Sequence, residues 1–307
     1  MIVCCGEALI DMLPRETASG EAAFAPYAGG AIFNTAIALG RLGVEAGFFT
    51  GLSSDMFGEI LRKALTVSNV SQRYLARLDL PTTLAFVKLD NGQATYAFFD
   101  ENTAGRLITE ANLPAFGADV EAMHFGAISL MSEPCGSTYE ALMRREAPRR
   151  VISLDPNIRP SFIRDRKAHL ARMERMIAMS DILKLSDEDL DWFGFGGGDE
   201  AAETWLKAGP GLVVVTRGKD GAVAYSREHK VAVPGELVTV ADTVGAGDTF
   251  NAGLLASLKR GALLTKEAIV ALDEAAIRNA LALGVKAASV TVSRAGANPP
   301  WTEEIGL

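Results

Sequence analysis

Residues 242–255 read Asp-Thr-Val-Gly-Ala-Gly-Asp-Thr-Phe-Asn-Ala-Gly-Leu-Leu, a glycine-rich turn that passes into an apolar run. Gly245-Ala246-Gly247 can turn without Cβ clashes. Phe250, Leu254, Leu255 and Leu258 fall on one helical face, so a helix is expected to follow the turn. Successive N–H groups at the positive end of that helix would form an anion hole suited to phosphate. Asp248 stands at its mouth, where a carboxylate suits the helix dipole but repels a phosphate. One reading makes Asp248 a helix cap, a role a Ser or Thr would fill equally well. The other makes it the group that accepts a proton from a hydroxyl attacking a phosphoryl group held in the hole. Such a transfer demands positioning and charge neutralisation more than a strong base, so an ionised aspartate suffices. The commoner phosphate motifs are missing. No G-x-x-x-x-G-K-S/T string exists, and Phe250 occupies the place of the third glycine of a dinucleotide fingerprint.

The elements that must position these residues alternate along the chain. Ile2–Cys5, Ala46–Phe49, Ala122–Phe125, Val151–Leu154, Ile182–Leu185 and Leu212–Thr216 are short apolar runs without polar alternation, which predicts strands buried on both faces of a parallel sheet. Helical patterns are expected at Asn34–Leu42, Phe57–Leu65, Ser137–Glu146, Lys167–Met179, Glu200–Lys207, Thr249–Lys259 and Lys266–Leu283. Strand then helix, repeated, reads as a doubly wound α/β domain. Two stretches break the rhythm. Residues 82–99 alternate with period two around Asp90-Asn91-Gly92-Gln93, a strong hairpin signal, and residues 11–27 can supply further strands. Together they predict either a small antiparallel sheet standing off the body or an ordinary edge hairpin. Gly194–Glu200 reads as a surface loop.

Composition excludes several function classes. The 307 residues are 49% hydrophobic and 22% charged, enough for a large core and too few charges for disorder. The formal charge is −8, and no Lys/Arg run supplies the basic face of a nucleic-acid binder. Cys4, Cys5 and Cys135 cannot build a disulfide framework and read as reduced, buried thiols of a cytoplasmic protein. The first residues lack the charge and apolar run of a signal peptide, and no stretch reads as a membrane span. His124, His169 and His229 lie far apart without paired cysteines, which argues against a His/Cys metal site. A nicotinamide-dependent oxidoreductase would need G-x-G-x-x-G after the first strand, where Gly6-Glu7-Ala8-Leu9 stands instead.

Asp242–Phe250 resembles the C-terminal signature of the ribokinase/PfkB sugar kinase family at every position. Gly29-Gly30-Ala31-Ile32-Phe33-Asn34-Thr35-Ala36 resembles its N-terminal G-G-x-P-x-N-x-A motif, departing at Ile32. With Gly6–Asp11 the resemblance runs from residue 2 to about residue 298. It implies a ribokinase-like α/β fold: a doubly wound, mostly parallel sheet with helices on both faces, plus a small antiparallel β lid. The whole of 1–307 would be one domain, its lid built from about 11–27 and 82–104.

The resemblance also implies roles. Asp248 is the catalytic base, and Gly245, Ala246 and Gly247 form the anion hole. Asp11, expected at the end of the first strand, binds sugar hydroxyls with Gly29, Gly30 and Asn34, and Phe98 of the lid covers the sugar. On the residues alone, Asp11 equally suits a turn and Asn34 a helix N-cap. Asp155–Pro160 resembles the D-x-N-x-R-P segment of fructokinases and related acid-sugar kinases, which places Asn157 and Arg159 at the sugar or the transferred phosphate. Lys184–Asp189 aligns with the N-x-x-E motif tied to Mg²⁺ and phosphate, and assigns Lys184 and Ser186 to the nucleotide side. Here it reads Ser186-x-x-Asp189, which would also make a capping pair. Thr216, Gly218 and Gly221 match the turn that flanks the nucleotide, and Asn279 matches the adenine-side asparagine. ATP and Mg²⁺ are the implied cofactors. A monovalent cation, K⁺, would sit on backbone carbonyls around Asp242 and Val244 and from Ser293–Ala297.

The segments CCGEALIDMLP and DPNIRPSF are most similar to the fructokinases of the family. The competing substrate is 2-keto-3-deoxygluconate, whose carboxylate needs a cation where this chain has Tyr96–Glu101; Arg106 lies nearby. A ribokinase or nucleoside kinase, and a sugar-binding regulator without turnover, are further alternatives; the regulator would be marked by loss of Asp248. Pairing of lid strands between subunits would give a homodimer.

Overall fold

The computed structural model describes residues 1–90 and 93–307. The chain begins β1 (Ile2–Cys5), β2 (Leu9–Glu16), β3 (Ala22–Gly29), α1 (Ala31–Arg41), β4 (Ala46–Phe49), β5 (Gly51–Ser53), α2 (Met56–Val67), β6 (Val70–Ser71) and β7 (Ala76–Leu78). It continues β8 (Leu84–Asp90), β9 (Gln93–Phe99), β10 (Ala122–Gly126), α3 (Cys135–Glu146), β11 (Val151–Asp155), α4 (Arg166–Met179), β12 (Ile182–Ser186) and α5 (Asp187–Phe193). It closes α6 (Gly198–Ala208), β13 (Leu212–Thr216), β14 (Ala222–Tyr225), β15 (Lys230–Val233), α7 (Ala246–Arg260), α8 (Lys266–Val270) and α9 (Glu274–Val292).

The large sheet runs β15-β14-β13-β12-β11-β10-β1-β4-β6. From β6 to β13 every pair is parallel. β14 and β15 add an antiparallel edge that the sequence reading had not placed. Alternation along the buried strands feeds two cores. In β1, Ile2 and Cys4 join Phe33 of α1, Leu254 of α7 and Leu281 of α9 on one face. Val3 and Cys5 join Tyr139 of α3, Met173 of α4 and Ala201 of α6 on the other. Helices therefore cover both faces, and strands buried on both sides read as unbroken apolar runs. Cys4, Cys5 and Cys135 are free and buried.

The second sheet has the order β3-β2-β8-β9. Its outer pairs are antiparallel and its central pair, β2 with β8, is parallel. β8 and β9 pair as the period-two pattern required; the Asn91-Gly92 turn lies outside the described residues. Asp11 does not end the first strand. β1 stops at Cys5, and Asp11 lies within β2, opposite Tyr27 of β3.

Two expectations need correction. Lys266–Leu283 is two helices, because Asp273 caps α9 by accepting from the Ala276 amide and so restarts the helix. Gly194–Glu200 is only partly a loop: Gly194 ends α5 in the left-handed region and α6 begins at Gly198. Glu274–Val292 is, by length and composition, long and apolar enough to cross a membrane, which the sequence reading had not found. It is packed along α7, which accounts for its apolar character.

Candidate active site

A cleft of about 780 Å3 lies between the ends of the parallel strands, the start of α7 and the smaller sheet. Of the residues singled out from sequence, Asp11, Gly30, Asn34, Phe98, Asn157, Arg159, Lys184, Ser186, Thr216, Gly218, Val244, Gly245, Ala246, Gly247 and Asp248 line it. Gly29, Gly221, Asp242 and Asn279 are not on its wall. Asn279 is exposed on α9.

The start of α7 sets the geometry. Gly245 is the N-cap with φ +78°, and a Cβ there would come within 2.7 Å of the Ala297 Cβ, so both conformation and space require glycine. Thr249 N–H closes the first intrahelical bond to Gly245 O at 2.9 Å. The amides of Gly247 and Asp248 then have no intrahelical acceptor and sit at the positive end of the dipole. Ala246 N–H also reaches Thr243 O at 3.3 Å. Asp248 is therefore not the cap. It belongs to the first turn, is 8% exposed, and makes no capping hydrogen bond.

Asn34 is not a cap either. Gly30 is the N-cap of α1, and Asn34 lies one turn in, donating from Nδ2 to Asp248 Oδ2 at 2.9 Å. Thr35 Oγ1 donates to the Asp248 backbone carbonyl at 3.2 Å, so α1 holds this residue by both its side chain and its main chain. Burial pushes the Asp248 pKa up to about 7; the Asn34 hydrogen bond and Lys184 pull against this, while Asp155 and Glu7 add to it.

Glu7 carries a function the motif reading missed. It follows β1, lines the cleft, and its Oε1 accepts from the amides of Ala31 at 2.8 Å and Ile32 at 3.4 Å. It thus caps α1, whose own N-cap residue offers no side chain. Burial lifts its pKa to about 7 against those amide bonds. Burial also lifts Asp11 to about 6. An acid directly after a buried strand was the available signal for Glu7.

On the opposite side, Lys184 Nζ donates to Asp155 Oδ2 at 3.0 Å, both side chains buried. Burial opposes the Lys184 charge, but Asp155, Asp189 and Asp248 outweigh it and lift its pKa above the ordinary lysine value. Arg159 lines the cleft with its guanidinium folded on its own loop, Nη1 donating to Ile158 O at 3.0 Å. Ser186 and Asp189 form the capping pair. Asp189 accepts from Ser186 N–H and Oγ, both at 2.8 Å, and its other oxygen accepts from Ile158 N–H at 2.7 Å. Asp242 spans two loops, its carboxylate accepting from Val244 N–H at 3.0 Å and Gly296 N–H at 2.9 Å. Phe98 of β9 meets Phe162 edge to face at 4.5 Å across the cleft.

The pfkB family carbohydrate kinase model matches residues 1–304. The chain belongs to that family. A fructokinase of Rhizobium leguminosarum bv. trifolii is 65% identical over 280 residues, covering 91% of this chain and 86% of the relative. A solved fructokinase of Xylella fastidiosa with bound ATP superposes with a TM-score of 0.91 at 28% identity, covering 99% of this chain and 96% of that one. A Vibrio cholerae O395 fructokinase double mutant with fructose, ADP and potassium ion bound has a TM-score of 0.83 at 25% identity, covering 96% and 93%.

This PfkB-family chain is accordingly a sugar kinase, a phosphotransferase with an alcohol acceptor. Among its described residues no group of three or more His, Cys, Asp or Glu could hold a metal ion. That donor set fits Mg²⁺ all the same, because Mg²⁺ keeps waters and phosphate oxygens and asks the protein for one or two carboxylates. Asp187 and Glu188 are two carboxylates on the cleft wall.

Proposed function

We propose that this kinase transfers the γ-phosphate of ATP to a primary hydroxyl of fructose. The observation that most supports the reading is the meeting of Asp248 with the amides of α7 inside one cleft, Asn34 holding its Oδ2. The other carboxylate oxygen is left to take a proton. The sugar hydroxyl attacks the γ-phosphorus in line. One oxygen–phosphorus bond forms as the bond to the ADP oxygen breaks, and the proton passes to Asp248. A base with a pKa of about 7 is matched to work near neutral pH.

The amides of Gly247 and Asp248, with Lys184, neutralise the migrating group. Asp11, Gly30 and Asn34 orient the sugar, and Phe98, braced on Phe162, covers it and excludes water. Ser186, Thr216, Gly218 and the flanking Gly221 face the nucleotide, and Asn279 its adenine side. Asp187 and Glu188 would hold Mg²⁺, which when bound would supply charge neutralisation on the phosphates. The carbonyls near Asp242 and Val244 would hold K⁺, the Asp242 carboxylate keeping that loop beside Gly296.

The sugar end supports a neutral substrate. Glu7, Asp11 and Asp248 all line the cleft, which disfavours a carboxylate-bearing sugar. Arg106, the lid-side cation a keto acid would use, is tied to Asp100 at 3.0 Å and to the Glu133 carbonyl at 3.2 Å and does not line the cleft, and Arg159, which does, is folded onto the Ile158 carbonyl. The chain works as one domain with the smaller sheet as its lid. A second copy pairs on that sheet, whose outer strands carry exposed Phe24, Tyr27 and Phe99. Buried reduced thiols and the need for ATP support a cytoplasmic setting. A coupled ATP assay across fructose, 2-keto-3-deoxygluconate, ribose and a nucleoside is expected to show fructose turned over best. Preference for the acid sugar would reject the substrate, and no turnover of any would reject the mechanism.

A further inference from the structure

We propose that Asn251 is a positioning residue for phosphoryl transfer: bound to Asp155, it holds the carboxylate that presents Lys184 to the amide cluster of α7. Asn251 lies three residues beyond Asp248 on α7, so its side chain follows the same helix face down into the sheet. It is 1% exposed, and its Nδ2 donates to Asp155 Oδ2 at 2.7 Å. The same oxygen accepts from Lys184 Nζ at 3.0 Å. Asp155 Oδ1 has no hydrogen-bond partner among the described residues. The orientation of this buried carboxylate therefore rests on two donors, one from β12 and one from α7.

Lys184 is directed at the amide cluster. A Cβ at Gly247 would lie 3.2 Å from Lys184 Nζ, so the ammonium stands against the helix turn whose amides receive the phosphate. Were Asn251 absent, Asp155 would have Lys184 as its sole partner. An unshared buried carboxylate holds a cation hard, because nothing else offsets its desolvation. The ammonium would then settle on Asp155 and withdraw from the arriving phosphate. With the amide present, the negative charge is divided and Lys184 stays available to a second anion. Asn251 touches neither sugar nor nucleotide in this account. It acts through Asp155 and Lys184, and the account rests on the reading of Lys184 as a phosphate ligand.

The test is a double-mutant cycle on the whole protein with Asn251→Leu and Lys184→Met, read as kcat, sugar KM and the affinities for ATP and AMP. Asn251→Leu is expected to lower kcat roughly ten-fold to a hundred-fold, the size of a lost hydrogen bond to a charged group, with sugar KM little changed. ATP binding should weaken and AMP binding should not, since AMP lacks the phosphates Lys184 would meet. In the Lys184→Met background, Asn251→Leu should cost nothing further. Multiplying losses, or equal weakening of ATP and AMP, would overturn the proposal. A Lys184→Met variant with wild-type kcat and ATP affinity would overturn the prior reading of Lys184 instead. Should Asn251→Leu not fold, Asn251→Ala goes through the same cycle with the same expectations.

Discussion

On one side of the cleft, α1 and the turn after β1 bring Asn34 and Glu7 to Asp248, with Asp11 of β2 on the same cleft wall; on the other, β12 and the first turn of α7 bring Lys184 to a set of amides. Burial acts on both sides and gives opposite results. Around Glu7, Asp11 and Asp248 it is the largest influence, and their pKa values rise to about 7, 6 and 7. Around Lys184 it is outweighed by Asp155, Asp189 and Asp248, and the lysine stays charged. Desolvation that hydrogen bonds do not offset leaves acids poised to exchange protons; desolvation outweighed by opposite charges leaves a fixed cation. One side is built to take a proton and the other to hold an anion, and Asp248 belongs to both.

The most severe way to break this arrangement is Asp248→Asn. It keeps the size of the side chain and removes the proton acceptor. We expect kcat to fall by roughly 10²–10⁴-fold, with small change in sugar KM and ATP affinity. Steady-state kinetics with a binding titration checks this, and a kcat within a few-fold of wild type would remove Asp248 from the chemistry.

The same substitution sharpens the contrast through stability. The folded pKa of Asp248, about 7, lies above its ordinary 3.8, so the folded state binds the proton more tightly than the unfolded state does. The associated stability is full below pH 3.8 and is lost as pH rises through 7. Asparagine escapes that loss. In urea unfolding of the ligand-free protein, the advantage of Asp248→Asn over wild type should grow by about 3 kcal/mol between roughly pH 5 and 8. An advantage independent of pH would mean that burial imposes no such strain on the carboxylate.

The legibility of the molecule in its sequence follows the same division. Parallel strands buried on both faces show as apolar runs, and Ile2–Cys5 and Leu212–Thr216 have the boundaries those runs mark. Lys230–Val233 was not read because an edge strand lacks a two-faced pattern, and Ala222–Tyr225, though buried on both faces, is only four residues long with alanine at every second position. The break between α8 and α9 was hidden by continuous helical periodicity, and only the Asp273 cap interrupts it. Around the cleft, the amide turn and Asp248 could be read because an anion hole is local in sequence. Contacts that depend on folding left weaker marks. Glu7 reaches Ala31 across 24 positions, Lys184 reaches Asp155 across 29, and Asn251 reaches Asp155 across 96. Asn34 showed as a polar residue near a helix start, a place that suits a cap, and only the packing of α1 on α7 turns it toward Asp248.

The smallest expected effect isolates one charge. Asp248 faces Asn34 from α1, Lys184 from β12, Asp155 from the end of β11 and Glu7 from the turn after β1, and of these Asp155 and Glu7 hold its pKa up. Glu7→Gln removes one negative charge while keeping an oxygen able to accept from Ala31 and Ile32, so α1 should remain capped. A base must be unprotonated to act, so kcat/KM should rise with pH and level off above a midpoint near 7 in the wild type. With Glu7 neutral, the Asp248 proton is held less tightly, and the midpoint should move to lower pH by under about one unit, the size of a single charge seen through a protein interior. Because the two acids interact, the wild-type limb reports the pair, and the variant should also titrate more steeply, as a single group. A midpoint that stays in place, or moves upward, would show that Glu7 serves α1 alone and lends no charge to the proton-accepting side.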